Sequence, residues 1–456
     1  MEGPAGVRES WPSDNNILDL EKTPSVATTI ADTLPLWREI LFVGIISAAQ
    51  FTTQAGLGQC LSILNVIGQH YGLTNPGELS WLIAAYSLTV GTFILVAGRF
   101  GDIFGYKQMI IIGFSWFSLW SMVAGLAYYC NHVLFDFARV FQGIGPAIIL
   151  PNGIAVLGAT YPPGIRKNII FSLFGASAPA GAIIGALFAG IFNLTFWPWT
   201  FWSFAIALAF LAVGTALFVP DPPRKMASHG KRDWMQTFTQ LDPLGSITVI
   251  LGLVLFNFAW NQAGVVSWPA EPYVWVTLIL GVLFICAFFL VEFKVASSPL
   301  LPFDAFTSDV GFVLACIACG WGCFGIFVFY AWVFFLNLRM ATPLQASAWF
   351  VPVIVSGAVA AISTGFLLSR LRPAWVMTIS MLAFCVGTIL LATAPVGQTY
   401  WAQTFVCTLI IPFGMDMSFP SATIILSNSV KKVRFSTWQG CKQWLTSIVG
   451  KPRHCG

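Results

Sequence analysis

Charge is the scarcest thing in this chain. Asp, Glu, Lys and Arg together make up 9% of 456 residues, where a soluble domain carries about 25%. So few charges cannot cover a water-facing surface, which excludes a soluble globular protein. Histidine is rare too. His70, His132, His229 and His454 are scattered, and the sequence shows no catalytic triad, phosphate-binding loop or metal-ligating cluster. The expectation is a protein that is not an enzyme and carries no cofactor or metal. Ten cysteines show no paired spacing of the kind that marks a disulfide framework. Cys316, Cys319 and Cys323 share one helical face and read as small apolar packing.

Apolar residues take the place of charge. The chain is 57% hydrophobic and 15% aromatic, with a mean hydropathy of +0.80. Windows of about 20 residues, long enough to cross about 30 Å of hydrocarbon, pick out twelve spans. They lie at 40–66, 79–98, 108–129, 133–157, 168–192, 199–219, 243–262, 273–291, 310–336, 344–368, 374–394 and 401–427. Lipid admits only helices and closed barrels, and these runs are too long and too continuously apolar for barrel strands. The expected fold class is an all-α polytopic membrane protein. With the N-terminus on the cytoplasmic side, the inner connectors and both tails hold 20 of the 22 Lys and Arg residues. The exceptions are Arg139, inside a span, and Arg339, in an outer turn. Positive residues mark the inner side, so the net charge of +4 reflects orientation and implies no nucleic-acid partner.

The spans fall into groups. Residues 1–35 read as a disordered cytoplasmic tail without a visible cleavable signal segment, and 36–219 as a six-helix half. A polar stretch at 220–242, with Arg224, Lys225, Lys231 and Arg232, reads as a cytoplasmic linker. Residues 243–291 hold two inserted helices, and 292–427 a second half of four helices. Residues 428–456 form an atypical cytoplasmic tail. The second half echoes the first. Gly98-x3-Asp102 has a worn counterpart in Gly365-x3-Ser369, and Gly145-x5-Pro151 is matched by Gly414-x5-Pro420. On this register the second half lacks the counterparts of spans 5 and 6. Either the protein works with four helices there, or the chain is cut short near residue 430, which is the favoured expectation. Asn193-Leu194-Thr195 is a glycosylation sequon in a short outer turn, expected to be unused.

Three stretches carry a resemblance. Gly98-Arg99-Phe100-Gly101-Asp102-Ile103-Phe104-Gly105-Tyr106-Lys107 resembles the signature turn of the major facilitator superfamily. Arg139-Val140-Phe141-Gln142-Gly143-Ile144-Gly145-Pro146 resembles its fourth-helix arginine motif. Gly175 to Gly185, with Pro179 and Gly181 between, resembles the fifth-helix motif of its antiporters. The inserted pair is similar to that of the fourteen-span drug:proton antiporters. Gln54, Gln59, Leu79-Ser80-Trp81, Ala85-Tyr86-Ser87-Leu88 and Gly414-Met415-Asp416-Met417 look like the fungal aminotriazole-resistance branch. The resemblance implies the major facilitator fold and proton-coupled efflux of a drug, toxin or secondary metabolite by alternating access. The partners it implies are the lipid bilayer, a small-molecule substrate and protons, in a monomer of the plasma membrane or, alternatively, the vacuolar membrane. Two competitors stay open: a uniporter or importer of a small solute such as ammonium or borate, and a truncated product that transports nothing.

The residues support specific roles. Gly98, Asp102, Gly105 and Lys107 suit a tight gating turn, with Asp102 and Lys107 bridging neighbouring helix ends. In the family the aspartate faces a helix N-terminus of the other half, here one of the two absent helices. Arg139 is a cation in hydrocarbon, which costs a few kcal/mol or more and is functional by default. It either biases a nearby acid or holds an anionic substrate group. The alternative is that it reaches the outer interface with Asp136 as its partner. Gly175, Pro179, Gly181 and Gly185 give the fifth span a kink and a small-residue face. Asp416, deep in the twelfth span, is the candidate for reversible proton binding, or else a structural carboxylate. Span 1 carries Gln50, Gln54, Gln59 and Asn65 but no aspartate. Gln54, Gln59, Tyr86, Asn152, Trp260, Asn261 and Gln262 are candidates for lining a cavity. Epitopes inserted after residues 72 and 228 are expected outside and inside respectively; both on one face would overturn the topology.

Overall fold

The computed structural model describes residues 34–162, 164–221, 240–266, 271–296, 300 and 307–448. Nearly all of the expected N-terminal tail, most of the 220–242 linker and the last eight residues of the chain lie outside the described residues. Among the described residues twelve helices are long and apolar enough to cross a membrane, and each overlaps one expected span. They are α1 (Leu36–Ser62), α2 (Pro76–Phe104), α3 (Tyr106–Leu126), α4 (His132–Thr160), α5 (Ile165–Phe192) and α6 (Trp199–Phe218). Then come α7 (Pro243–Ala263), α8 (Pro272–Lys294), α9 (Ser308–Val333), α10 (Pro352–Arg370), α11 (Pro373–Ala392) and α12 (Gln403–Ile448). At about 1.5 Å per residue the 27 residues of α1 reach about 40 Å, enough to cross the hydrocarbon with a tilt. α12 does not stop at the expected 427 but continues as helix to Ile448.

Local sequence sets where the helices start. Asn75 accepts from the Gly77 amide, Asp242 from Gly245 and Thr342 from Gln345. A proline follows each cap, at a position where the missing N–H is not needed. Asn131 and Thr307 cap α4 and α9 in the same way, without the proline. At the inner end of the first half, Glu39 accepts hydrogen bonds from Tyr161 Oη and from Arg166 Nε, pinning the start of α1 to the α4–α5 connector. Burial and the bond to Glu39 hold the Tyr161 phenol above its ordinary pKa.

The hairpin α7–α8 stands beside α2. Asn75 Nδ2 donates to the Val265 carbonyl and Trp81 Nε1 to Gln262 Oε1 at one end. Arg99 Nε donates to the Gln240 carbonyl at the other.

The internal repeat is visible as repeated contacts. Thr89, nine residues before Gly98, donates from α2 to the Val140 carbonyl of α4 at 2.7 Å. Ser356, nine residues before Gly365, donates from α10 to the Leu409 carbonyl of α12. Val140 and Leu409 each lie five residues before the glycine of their helix, Gly145 and Gly414. A methyl group added at Gly145 would stand 2.5 Å from Phe117 Cβ, and one at Gly414 2.5 Å from Phe384 Cδ1. Phe117 and Phe384 both lie nineteen residues after the signature glycine of their half. The trios α2–α3–α4 and α10–α11–α12 are therefore packed by the same joints.

The groups α1–α6 and α9–α12 close on each other at their outer ends, away from the basic connectors. Asn65 Nδ2 donates to Asn337 Oδ1 at 2.5 Å, Ser347 Oγ to Ser62 Oγ at 3.3 Å, and Ser62 Oγ in turn to the Ala186 carbonyl. Because both glycines are packed against a phenylalanine, Gly145→Ala and Gly414→Ala are each expected to overpack their joint by about 1–3 kcal/mol. Thermal unfolding in detergent checks this, and the joints are not equivalent if only one variant loses stability.

Candidate functional site

The first cluster surrounds Arg139, which is 0% exposed. Its Nε donates to the Leu82 carbonyl of α2 at 3.2 Å, one terminal nitrogen to Gln142 Oε1, and the other to the Gly56 carbonyl of α1 at 2.9 Å. The guanidinium lies 4.5 Å from the centre of the Tyr86 ring, a cation–π contact that strengthens when water is excluded. Tyr86 Oη is itself anchored on the Thr53 carbonyl, and Gln142 Nε2 on Ser121 Oγ. Arg139 does not reach the outer interface, and no ion pair joins it to Asp136, whose Oδ1 is buried without a hydrogen-bond partner. Its donors are spent on carbonyls and an amide, so the cation ties α1, α2 and α4 together. A sequence reading misses the carbonyl partners because every residue carries one.

The signature turn is the second cluster. Gly105 has φ +107°, a left-handed conformation that favours glycine. A side chain at Gly101 would run into Asn152 Oδ1. Asp102 Oδ1 accepts from Tyr106 Oη at 2.6 Å, a bond that spans the break at Gly105 and ties the end of α2 to the start of α3. Asn152 donates to the Ile148 and Ala97 carbonyls and so holds α4 against the end of α2. Gly98 stands at ordinary contact distance from Pro151.

The third cluster is a narrow central cavity of about 70 Å³. Five helices from both groups wall it: α1, α5, α9, α10 and α12. Phe324, Phe327, Trp332 and Phe350 form an aromatic wall, with Leu57, Val353, Ile411 and Met415 among the aliphatic residues. Gln54 contributes the polar group from α1, and among the described residues no charged side chain lines the cavity. The aromatic wall was not read from the sequence, since Phe and Trp in a span face lipid as readily as protein.

Pro179 lines the same cavity. The glycines beside it do something else. Methyl groups at Gly181 and Gly185 would meet the α1 backbone, at 2.1 Å from the Phe51 carbonyl oxygen and 2.7 Å from Ala55 Cα. They seat α5 on α1 within its own half, while Gly175 has nothing within 4 Å of that position. Pro179 alone of the four touches the other group, at Gly357 of α10. Asp416 converges on the same place. The Cβ position of Gly357 lies 2.9 Å from Pro179 Cγ and 3.2 Å from Asp416 Oδ2. That carboxylate oxygen is buried and has no hydrogen-bond partner among the described residues.

Other candidate lining residues are dispersed. Gln59 is buried outside this cavity with Nε2 unpartnered. Tyr86 and Asn152 belong to the first two clusters. Trp260 is 59% exposed on the outside of α7. Asn261 lines a separate groove between α2 and α7, with Ser87, Thr92 and Asn257. Gln262 is taken up by Trp81 and Tyr273.

Two groups of helices closing on a shared cavity make this a secondary transporter fold. The chain belongs to the major facilitator superfamily, whose family model matches residues 40–440. It is 52% identical over 423 residues to the low affinity ammonium transporter of Saccharomyces cerevisiae, covering 91% of this chain and 81% of that protein. Efflux pump terJ of Aspergillus terreus is 45% identical over 396 residues, 86% and 75% of the two chains. The aminotriazole resistance protein of Saccharomyces cerevisiae is 37% identical over 401 residues, 86% and 72%. These relatives place it with the fungal drug-efflux type. In fold it is similar to a POT family transporter solved with a conjugated peptide, with a TM-score of 0.58 at 15% identity over 87% and 89% of the two chains. The chain is a transporter of that superfamily.

Proposed function

We propose that the protein exports a small, mainly apolar organic molecule in exchange for protons. The observation that carries this reading is the central cavity. Its wall is aromatic and aliphatic, it offers a substrate one amide at Gln54, and a carboxylate at its edge, Asp416, has a buried oxygen without a partner. An apolar wall with few polar groups binds by burial of surface and selects by shape. A carboxylate half-buried among apolar helices can take up a proton from the solvent side and give it back, which is what coupling needs. Arg139 contributes as a fixed cation that keeps α1 in register rather than as a substrate ligand. Similarity to efflux pumps supports outward transport, and a monomer in the plasma membrane is part of the same reading.

A second reading has its own support. The relative that is 52% identical is an ammonium transporter by name, and uniport or import of ammonium would use the same fold. The absence of a charged group among the lining residues argues against a hydrated cation as the cargo there.

The test uses the full chain in sealed vesicles with an imposed pH gradient, a hydrophobic fluorescent dye and labelled methylammonium. Dye movement that follows the pH gradient, and is abolished by Asp416→Asn at unchanged expression, is the expected result. Undiminished dye transport by Asp416→Asn would retire the proton site. Methylammonium flux without dye flux would favour the second reading.

A further inference from the structure

Where α5, α10 and α12 meet, one helix lacks a hydrogen bond and another has a hydrogen-bonding group with nothing to bind. Pro179 has no N–H, so the Gly175 carbonyl, four residues earlier in α5, loses its helical donor. No described side chain donates to that carbonyl. On the other side, Asp416 Oδ2 of α12 is buried without a partner. Gly357 of α10, which has no side chain, lies beside both: Pro179 Cγ and Asp416 Oδ2 are each within 3.2 Å of its Cβ position. An unsatisfied carbonyl in hydrocarbon costs several kcal/mol in general, so a donor arriving there is bound firmly.

We infer that Asp416, in its protonated form, donates its O–H across Gly357 to the Gly175 carbonyl that Pro179 leaves open. The inference rests on Asp416 being the proton-binding group of the proposed antiport, and it assigns what the proton does there. The carboxylate takes one proton from water, and the new O–H ties α12 to α5, joining the two halves. Loss of that proton leaves an acceptor facing an acceptor, and the joint parts. Pro179 is then a positioning residue: its contribution is the missing N–H. Gly357 is the gap through which the two groups meet. The charged residues of the helices around the joint are Arg166 and Lys167 at the start of α5, Asp309 at the start of α9, Arg370 at the end of α10 and the basic residues of α12 beyond 430. α11 has none. The thiols of these helices are Cys316, Cys319, Cys323, Cys385, Cys407 and, near the far end of α12, Cys441; Cys407 donates to the Gly387 carbonyl.

Infrared difference spectroscopy of the full chain in liposomes, stepping pH, reads this without a substrate. A protonated-carboxyl band that disappears in Asp416→Asn identifies the acid. In Pro179→Ala the restored N–H takes the Gly175 carbonyl, and the band is expected to move to higher wavenumber as the acid loses its acceptor. Gly357→Ala, which puts a methyl group in the gap, is expected to move it the same way. An Asp416 band that is present but unmoved in both variants overturns the inference while leaving the proton site standing. A wild-type spectrum with no band lost in Asp416→Asn overturns both.

Discussion

Hydrocarbon cannot hydrate a charge, and the one arginine placed within a span is accommodated by giving each of its three side-chain nitrogens a partner. Arg139 takes main-chain carbonyls from two neighbouring helices, an amide from its own and the face of Tyr86. Such a knot is costly to open, because each released carbonyl would be left dry. The consequence is mechanical: α1, α2 and α4 move as one piece. The seats of Gly181 and Gly185 on α1 add α5 to that piece. Whatever rearranges during transport must therefore do so between the halves and not within the first of them.

The second half repeats the joints but not the charge. Arg139 lies six residues before Gly145, and the matching residue before Gly414 is Thr408. Asp416 lies two residues after Gly414, where the first half has Ala147. In the proposed mechanism a fixed cation in one half holds a rigid body together, and a titratable acid in the other faces the interface that has to open. Asn65–Asn337 and Ser62–Ser347 join the two groups at the ends away from the basic connectors; in the proposed mechanism this is the outward-closed one of the two end states of alternating access.

Much of this was legible beforehand, and for physical reasons. Twelve spans stand out because a helix in lipid must hide every peptide group and dress itself in apolar side chains. Gly98, Gly145, Gly365 and Gly414 were legible as a repeat by their spacing, and at Gly145 and Gly414 a phenylalanine packed against the backbone leaves little room for a side chain. Thr89 and Ser356, which make the equivalent bonds, were not, since hydroxyls are common in spans and usually bond to their own helix. The cavity was legible only at Gln54. Which way a polar residue faces depends on helix rotation by tens of degrees, and this sends Trp260 outward and Asn261 to another groove. Pro179 and Asp416 were each noticed alone. Their meeting at Gly357, on a third helix, has no signature in a linear sequence.

The central claim is that two rigid halves rock about the cavity. Spin labels at the exposed outer residues Leu194 and Met340, and in a second sample at the exposed inner residues Ile165 and Leu371, measure the two ends by pulsed electron resonance as the pH of the liposome is stepped. The account predicts opposite changes: the outer distance lengthens in the population whose inner distance shortens. Two distances that stay fixed, or that lengthen together, would contradict it.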